Sequence, residues 1–158
     1  MLKGIDPILG PELLSTLRSI GHGDELAIVD GNYPAENHAQ RLVRADGLRL
    51  VPVLKAVLSV LPLDADVAQP AIRTRNVNAP ETPDPIYIEI EVALQKHLGA
   101  DQIETAHGAT FYDRVKQCHT IVATSEQSLF ANVILRKGVV PPPTDLRCDP
   151  TFSRSRKM

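Results

Sequence analysis

The sequence predicts an α/β fold, a single domain with a mostly parallel sheet flanked by helices. Short apolar runs typical of buried strands alternate with segments whose apolar residues recur at helical spacing. The chain has 158 residues, of which 43% are apolar and 23% charged, which favours one globular domain with a real core. We therefore expect an α/β domain over residues 1–140, followed by a Pro-rich and basic C-terminal tail over residues 141–158.

The first predicted element is a helix that begins at Pro11, because a proline lacks only an N–H that the first helical turn leaves unbonded. Its apolar face consists of Leu13, Leu14, Leu17 and Ile20. Gly21 is predicted to end this helix in a left-handed conformation. The apolar run Glu25–Val29 follows as the first buried strand.

The middle of the chain continues the alternation of strands and helices. A short strand is predicted at residues 42–43, followed by a helix that begins near Pro52 and ends at Pro62. Another strand is predicted within residues 68–75. The run 78–85 contains three prolines and predicts an exposed loop.

The last part of the chain predicts two helices and three strands. One helix is expected over residues 86–98, with Gly99 as its stop. A second helix is expected to start at Thr110, which resembles an N-cap because Asp113 lies three residues later. The strands are predicted at residues 103–105, 120–123 and 132–136.

Composition argues against several classes of function. The formal net charge is −2, aromatic residues make up 4% and tryptophan is absent, which disfavours a nucleic-acid partner. No apolar run approaches the roughly 18 residues that span a membrane, and the N-terminus lacks a signal-peptide block. Cys118 and Cys148 are predicted to be free thiols in a reducing cytosol. We therefore expect a cytoplasmic protein. No Cys-x-x-Cys or His-x-x-x-His spacing is present, so we also expect no dedicated metal site.

A histidine in a glycine-flanked turn is the strongest chemical signal. His22 lies between Gly21 and Gly23, where an imidazole can exchange protons with a ligand. Asp30 follows the first predicted strand, a place where small-molecule sites are often built. Together they predict proton-transfer chemistry on a polar substrate. Two alternatives stay open: His22 as a cap of the preceding helix, and Asp30 as a turn residue.

Three further side chains are candidates with simpler alternatives. The phenol of Tyr112 can donate or accept a proton, or it can be a half-buried core group. The amide of Asn132 offers a donor and an acceptor to a polyol, or it simply starts a strand. Asp64 follows a predicted helix end, where a carboxylate in a loop is the plainest interpretation.

Seven short segments within residues 1–140 occur in an order and spacing that are specific when taken together. They are LKGI (2–5), PELL (11–14), GHGDE (21–25), RADGL (44–48), LPLD (61–64), FYDR (111–114) and ANVILRKGV (131–139). In this pattern the chain resembles the ribose/fucose mutarotase (RbsD/FucU-like) family, and in particular its fucose mutarotase branch. The resemblance implies an RbsD-like fold and an isomerase that interconverts the α and β anomers of a free monosaccharide, L-fucose or a related sugar, with no metal or organic cofactor.

The resemblance also implies roles for individual residues and an assembly. It implies catalytic roles for His22, as proton donor, and Tyr112. It implies sugar-binding roles for Asp30, Asp64, Phe130 and Asn132. Family members form ring-shaped homo-oligomers, often decamers, with sites near subunit contacts, so the resemblance implies a cytoplasmic homo-oligomer.

Several positions depart from the family's pattern. Phe130 lacks the hydroxyl of the expected tyrosine, and Tyr33 stands where phenylalanine is common, so its phenol is a candidate to compensate. Gly108 replaces an arginine or histidine, with His107 one residue earlier, and Asp66 replaces a tyrosine. Two alternative functions therefore stay open, a ribose pyranose–furanose isomerase and a non-catalytic sugar-binding protein linked to carbohydrate uptake.

Overall fold

A computed structural model describes residues 1–76 and 84–142 of the chain. The helices are α1 (Pro11–Ser19), α2 (Ala35–His38), α3 (Leu50–Leu58), α4 (Pro85–Leu94) and α5 (Gly108–Val115). The strands are β1 (Glu25–Val29), β2 (Leu42–Ala45), β3 (Ala71–Thr74), β4 (Ile103–Ala106), β5 (Thr120–Thr124) and β6 (Val133–Arg136).

One sheet contains all six strands, in the order β2-β5-β1-β6-β3-β4. The pairs β1–β5, β2–β5 and β3–β4 are parallel, whereas β6 is antiparallel to both β1 and β3. Strands β1 to β5 therefore all point the same way. We call the edge where these five strands begin the amino edge and the edge where they end the carboxyl edge. The predicted mostly parallel α/β sheet is confirmed.

Strand β1 lies at the centre of the core because both of its faces are buried. Successive side chains of a strand point to opposite faces of the sheet. Leu26 and Ile28 belong to the larger apolar cluster, which α1, α3 and α4 cover. Ala27 and Val29 belong to the smaller cluster on the other face, which includes Phe111 of α5. Apolar residues at consecutive positions are typical of such a strand.

The predicted strands and helices are confirmed, and β1 has the predicted bounds. The predicted left-handed Gly21 is wrong, because α1 already ends at Ser19 and Ile20 is extended. The amide of Gly21 instead donates to the Asp24 carboxylate at 2.8 Å, which closes the turn. Gly23 has the left-handed conformation, with φ of 84°.

Three other helix boundaries differ from the predictions. The helix expected to end at Pro62 ends at Leu58, and the chain after it continues as a turn in which the amides of Val60 and Leu61 both donate to the carbonyl of Val57. The helix expected over residues 86–98 ends at Leu94. Helix α5 begins at Gly108, so Thr110 lies inside the helix and is not its N-cap, and its N-cap residue is His107. Most of the loop predicted at 78–85, nearly all of the tail predicted at 141–158, and Cys148 lie outside the described residues.

The helices of the described segments are too short or too polar to cross a lipid bilayer.

A buried carboxylate fixes the loop between β5 and β6. Glu126 accepts hydrogen bonds from Arg49 Nε and Nη2 at 3.1 and 3.2 Å and from the amides of Gln127 and Ser128 at 3.0 and 3.1 Å. Its backbone carbonyl accepts the N–H of Gly31 at 2.8 Å. Burial alone raises the pKa of this carboxyl, but the hydrogen bonds outweigh burial and hold the pKa below its ordinary value. Glu126 thereby ties this loop to the end of β1.

Replacing Glu126 with glutamine is expected to lower the free energy of unfolding at pH 7 by about 2 kcal/mol, because a neutral amide cannot accept from all of these donors. Urea unfolding measures this change. Glu89, an exposed glutamate on α4, provides the control, and Glu89→Gln is expected to stay within about 0.5 kcal/mol of wild type.

The same pair of variants tests a pH dependence. The pKa of Glu126 is lowered on folding, so its contribution is complete above the ordinary value of 4.5 and is lost as the pH falls through the folded pKa. The stability difference between wild type and Glu126→Gln is therefore expected to shrink below about pH 4. A difference that is the same at pH 7 and pH 3 would contradict this role.

Candidate active site

His22 lies in the turn between α1 and β1, at the amino edge of the sheet. Its side chain is 48% exposed, and its Nε2 lies 3.4 Å from Oδ1 of Asp64 and 4.0 Å from Oδ2 of Asp66. Gly23 shapes this turn, because its φ is left-handed and a Cβ there would approach Nη2 of Arg136 to 3.1 Å. The predicted solvent-accessible histidine on a glycine-flanked turn is thus present.

Asp64 is held so firmly that it can orient the imidazole. The carboxylate is 2% exposed, its Oδ1 accepts the amide of Asp66 at 3.0 Å, and its Oδ2 accepts Arg136 Nε at 2.9 Å. These bonds, with a smaller contribution from His22, hold the pKa of Asp64 below its ordinary value. An ionised carboxylate only accepts, so the hydrogen bond places the proton of neutral His22 on Nε2 and leaves Nδ1 free to take up a proton.

Asp30 and Asn132 form a reciprocal pair at the carboxyl edge. Asn132 Nδ2 donates to Oδ2 of Asp30 at 3.0 Å, and the amide of Asp30 donates to Oδ1 of Asn132 at 3.0 Å. Both residues are 6% exposed. Burial raises the pKa of Asp30, and hydrogen bonds from the amide of Asn32 and from Asn132 oppose that rise. The pair offers fixed polar atoms to a ligand with several hydroxyl groups.

Tyr112 lies on α5, close to the chain that follows β1. Its ring centroid is 5.2 Å from that of Tyr33, and the amide of Tyr33 donates to the carbonyl of Asp30 at 3.2 Å. The side chain of Tyr112 is 41% exposed. Tyr112 therefore belongs to the carboxyl edge, with its phenol accessible to solvent.

Phe130 lies two residues before Asn132 and has a strained backbone. Its φ is 56°, which is rare for a bulky residue, and its side chain is 41% exposed. The hydroxyl of Thr74 donates to the carbonyl of Phe130, and the amide of Asn132 donates to that hydroxyl at 3.2 Å. Thr74 thus holds this backbone in place at the carboxyl edge.

The six residues expected at one site form two groups that β1 separates. His22 and Asp64 lie at the amino edge, and the carboxyl edge holds Asp30, Tyr112, Phe130 and Asn132. A strand rises about 3.3 Å per residue, so the five residues of β1 hold its two ends about 13 Å apart. One pyranose ring does not bridge the two groups of a single chain.

Two arginines that hold carboxylates at the amino edge, Arg114 and Arg136, were not predicted from the sequence. Arg114 donates to Glu25 through Nε at 3.1 Å and Nη2 at 2.6 Å, and Arg136 Nη1 lies 3.9 Å from the same carboxylate. Arg136 in turn holds Asp64. One feature of the sequence could have indicated them. Each of two otherwise apolar strands carries one charged residue at an end, Glu25 at the start of β1 and Arg136 at the end of β6.

Within residues 1–76 and 84–142, His22, Asp64 and Asp66 form a group whose donor atoms are close enough to hold a metal ion, all within 4.8 Å of one another. Both oxygens of Asp64 already accept hydrogen bonds, one of them from a guanidinium that would repel a cation. This donor set suits a hydrogen-bonded imidazole better than a resident metal.

An open cleft of about 490 Å³ lies beside His22 and is mostly apolar. Its apolar lining includes Leu14, Leu17, Val60, Leu61, Pro62, Val139 and Val140. Val60, Val139 and Val140 are 37%, 60% and 77% exposed. The histidine therefore borders an apolar surface that is exposed among residues 1–76 and 84–142.

The chain is similar in sequence and in structure to known proteins over most of its length. Residues 3–140 match the RbsD / FucU transport protein family. The chain is 39% identical over 145 residues to a Homo sapiens protein named fucose mutarotase, covering 88% of this chain and 94% of that one. It is 36% identical over 146 residues to the L-fucose mutarotase of Glaesserella parasuis, covering 92% and 100%. The solved structure of a Streptococcus pneumoniae fucose mutarotase in complex with L-fucose matches with a TM-score of 0.83 at 36% identity, covering 89% and 100%.

Replacing Phe130 with glycine tests the strain at the carboxyl edge. A left-handed φ costs a non-glycine residue about 1–2 kcal/mol, and glycine removes that cost. Glycine also makes the unfolded chain more flexible, which destabilises the folded state by about 0.5–1 kcal/mol. Glycine also removes the buried part of a side chain that is 41% exposed, so we expect Phe130→Gly to lose less stability in urea unfolding than a glycine substitution at a neighbour without strain. Leu129→Gly is the matched control at an exposed neighbour without a positive φ, and it is expected to lose about 1 kcal/mol. Equal losses in the two variants would argue against strain at Phe130.

Proposed function

The chain belongs to the RbsD / FucU family, and from this membership we propose that it is a mutarotase that interconverts the α and β anomers of L-fucose. The observation that carries the proposal is the arrangement of the two edges. One edge presents an imidazole with a free nitrogen, backed by a buried carboxylate, and the other presents a phenol and a fixed Asp–Asn pair. Such groups serve acid–base chemistry on a polyhydroxylated substrate.

Mutarotation requires one proton to reach the ring oxygen and one to leave the anomeric hydroxyl. The ring then opens to the aldehyde and closes again on its other face. Two proton-exchanging groups on different sides of the sugar accelerate both steps. In this proposal His22, oriented by Asp64, is one of these groups and the phenol of Tyr112 is the other. The remaining task is to hold the sugar between them, which itself contributes to rate.

Asp30 and Asn132 hold the sugar hydroxyls in this proposal. The carboxylate accepts and the amide both donates and accepts, and their mutual bonds fix both side chains before the sugar arrives. A preformed polar pair loses little entropy when it binds. Phe130 lies beside them without the hydroxyl that the family's tyrosine would add, so the site has one hydrogen-bonding group fewer.

The complete site is formed by two copies of the chain. His22 and Asp64 of one copy face the carboxyl edge of its neighbour, because the two edges of a single chain are too far apart to share one sugar. The exposed apolar cleft beside His22 supports this arrangement, since an apolar patch next to polar functional groups is typical of a protein contact. A ring-shaped decamer and a cytoplasmic location are parts of the same proposal.

Magnetisation exchange between the anomeric protons of free sugars tests the proposed function. We expect wild-type protein to accelerate exchange selectively for L-fucose in a panel with D-ribose, L-rhamnose, D-galactose and L-arabinose. Selective acceleration for D-ribose would favour the ribose isomerase instead. No acceleration for any sugar, together with sugar-dependent thermal stabilisation, would identify a binding protein and contradict the proposal.

His22→Ala is expected to lower the exchange rate of L-fucose by a factor of at least about 100, because general acid–base groups typically contribute 10²- to 10⁴-fold. Far-UV circular dichroism and the melting temperature check that the variant folds. His97→Ala, at an exposed histidine after α4, serves as control and should retain wild-type activity. Full activity in His22→Ala would remove the residue from the reaction.

Phe130→Tyr supplies the hydroxyl that the family pattern places at this position. We expect the KM for L-fucose to fall by a factor of about 2–10, the effect of one additional neutral hydrogen bond. The measurement is the dependence of the exchange rate on sugar concentration, with Phe130→Leu as the variant that adds no hydroxyl. An unchanged KM in Phe130→Tyr would mean that residue 130 does not contact the sugar.

A further inference from the structure

Three rings contact one another and form what we call the aromatic triad. The triad consists of Tyr33, His38 and Tyr112. The hydroxyl of Tyr33 and Nδ1 of His38 are 2.9 Å apart. The ring centroid of Tyr112 is 5.2 Å from that of Tyr33 and 5.7 Å from that of His38. Helix α2 is a single turn between Tyr33 and β2, and this turn brings His38 back onto the Tyr33 ring.

The direction of the Tyr33–His38 hydrogen bond follows from burial. Tyr33 is 8% exposed, and burial, together with the nearby Tyr112 and Cys118, raises the pKa of its phenol, so it keeps its proton. Burial also raises the pKa of the Cys118 thiol to about 12, which leaves that neighbour uncharged. A buried O–H needs an acceptor, and within residues 1–76 and 84–142 the hydrogen-bond partner of the Tyr33 hydroxyl is Nδ1 of His38. Tyr33 therefore donates to Nδ1, and the proton of neutral His38 is on Nε2.

The two bonded rings restrict the Tyr112 side chain from two directions. The Tyr33 ring is tilted by 43° and the His38 ring by 74° relative to Tyr112, and both centroid distances lie within the favourable range for aromatic pairs. Tyr112 is otherwise 41% exposed on the surface of α5. A phenol that exchanges a proton with a bound sugar must be held in one orientation, since small misplacements cost large factors in rate.

We propose that the Tyr33–His38 hydrogen bond positions the Tyr112 phenol for proton exchange with the sugar, which makes Tyr33 and His38 positioning residues of the reaction. This inference rests on the proposed function. It also replaces the expectation that the Tyr33 phenol compensates for the missing hydroxyl of Phe130, because that phenol is buried and engaged with His38. The substitution of tyrosine for phenylalanine at position 33 thus acts on Tyr112 and not on the sugar directly.

The inference is tested by the kinetics of four variants, measured as the anomer exchange of L-fucose at several sugar concentrations. Tyr33→Phe removes the donor and His38→Leu removes the acceptor, and each is expected to lower kcat by about three- to tenfold with KM within twofold of wild type. The double variant is expected to be no slower than either single variant, because both remove the same bond. His38→Gln keeps an acceptor for Tyr33 and is expected to recover most of kcat. His97→Leu is the control and should leave both parameters unchanged.

The outcomes separate this inference from the proposed function. Wild-type kcat in both Tyr33→Phe and His38→Leu would overturn the inference while the mutarotase assignment stands. A raised KM with unchanged kcat in Tyr33→Phe would also overturn it, because it would place Tyr33 in contact with the sugar. Equal losses in His38→Gln and His38→Leu would indicate a general packing role and overturn it. Absence of any exchange by wild-type protein would refute the proposed function, and with it this role of the triad.

Imidazole ¹⁵N chemical shifts provide a readout that does not depend on activity. In wild-type protein at a pH where His38 is neutral, they are expected to show Nε2 protonated and Nδ1 as a hydrogen-bond acceptor. In Tyr33→Phe the Nδ1 shift is expected to move toward that of a free imidazole nitrogen. Identical His38 shifts in the two proteins would overturn the proposed hydrogen bond.

Discussion

Strand β1 is the constraint on which the arrangement of the functional groups depends. It is bonded to β5 on one side and β6 on the other, and both of its faces are buried. Such a strand cannot bend to bring its ends together without breaking two ladders of hydrogen bonds and exposing core side chains. His22 before the strand and Asp30 after it are therefore held at opposite edges. A site that needs both must join two chains.

Paired charges hold each of these edges in shape. At the amino edge Arg136 bonds to Asp64 and Arg114 bonds to Glu25, and at the carboxyl edge Arg49 bonds to Glu126. In each pair the carboxylate is buried or nearly so, and losing its partner would leave a charge without compensation. These pairs fix the loops that carry His22 and Asn132.

The sequence was sufficient for the central elements and insufficient for the long-range contacts. The bounds of β1 follow from a run of apolar residues in a doubly buried strand, and α1 follows from its proline start and apolar face. Helix α2 was not predicted, because its four residues are mostly polar and only Ala35 is buried, so the turn depends on tertiary contacts.

The division of the site between two edges also shows that the sequence was insufficient for contacts between distant parts of the chain. The residues that the family pattern assigns to one site are separated by a strand that the sequence itself predicts. The ion pairs could not be predicted from the sequence because their partners lie far apart in the chain, as Asp64 and Arg136 do, 72 positions apart. The Tyr33–His38 bond escaped it because it depends on a helix of a single turn.

The most direct test of a site shared by two chains is the activity of mixed assemblies. His22→Ala and Asp30→Asn are prepared separately and then as one co-assembled sample at equal amounts, with mass spectrometry confirming that both chains are present in the same particles. If each site takes His22 from one chain and Asp30 from its neighbour, random assembly restores about a quarter of the sites, and L-fucose exchange recovers from near zero to about a quarter of the wild-type rate. Mixed particles as inactive as either variant alone would contradict a shared site.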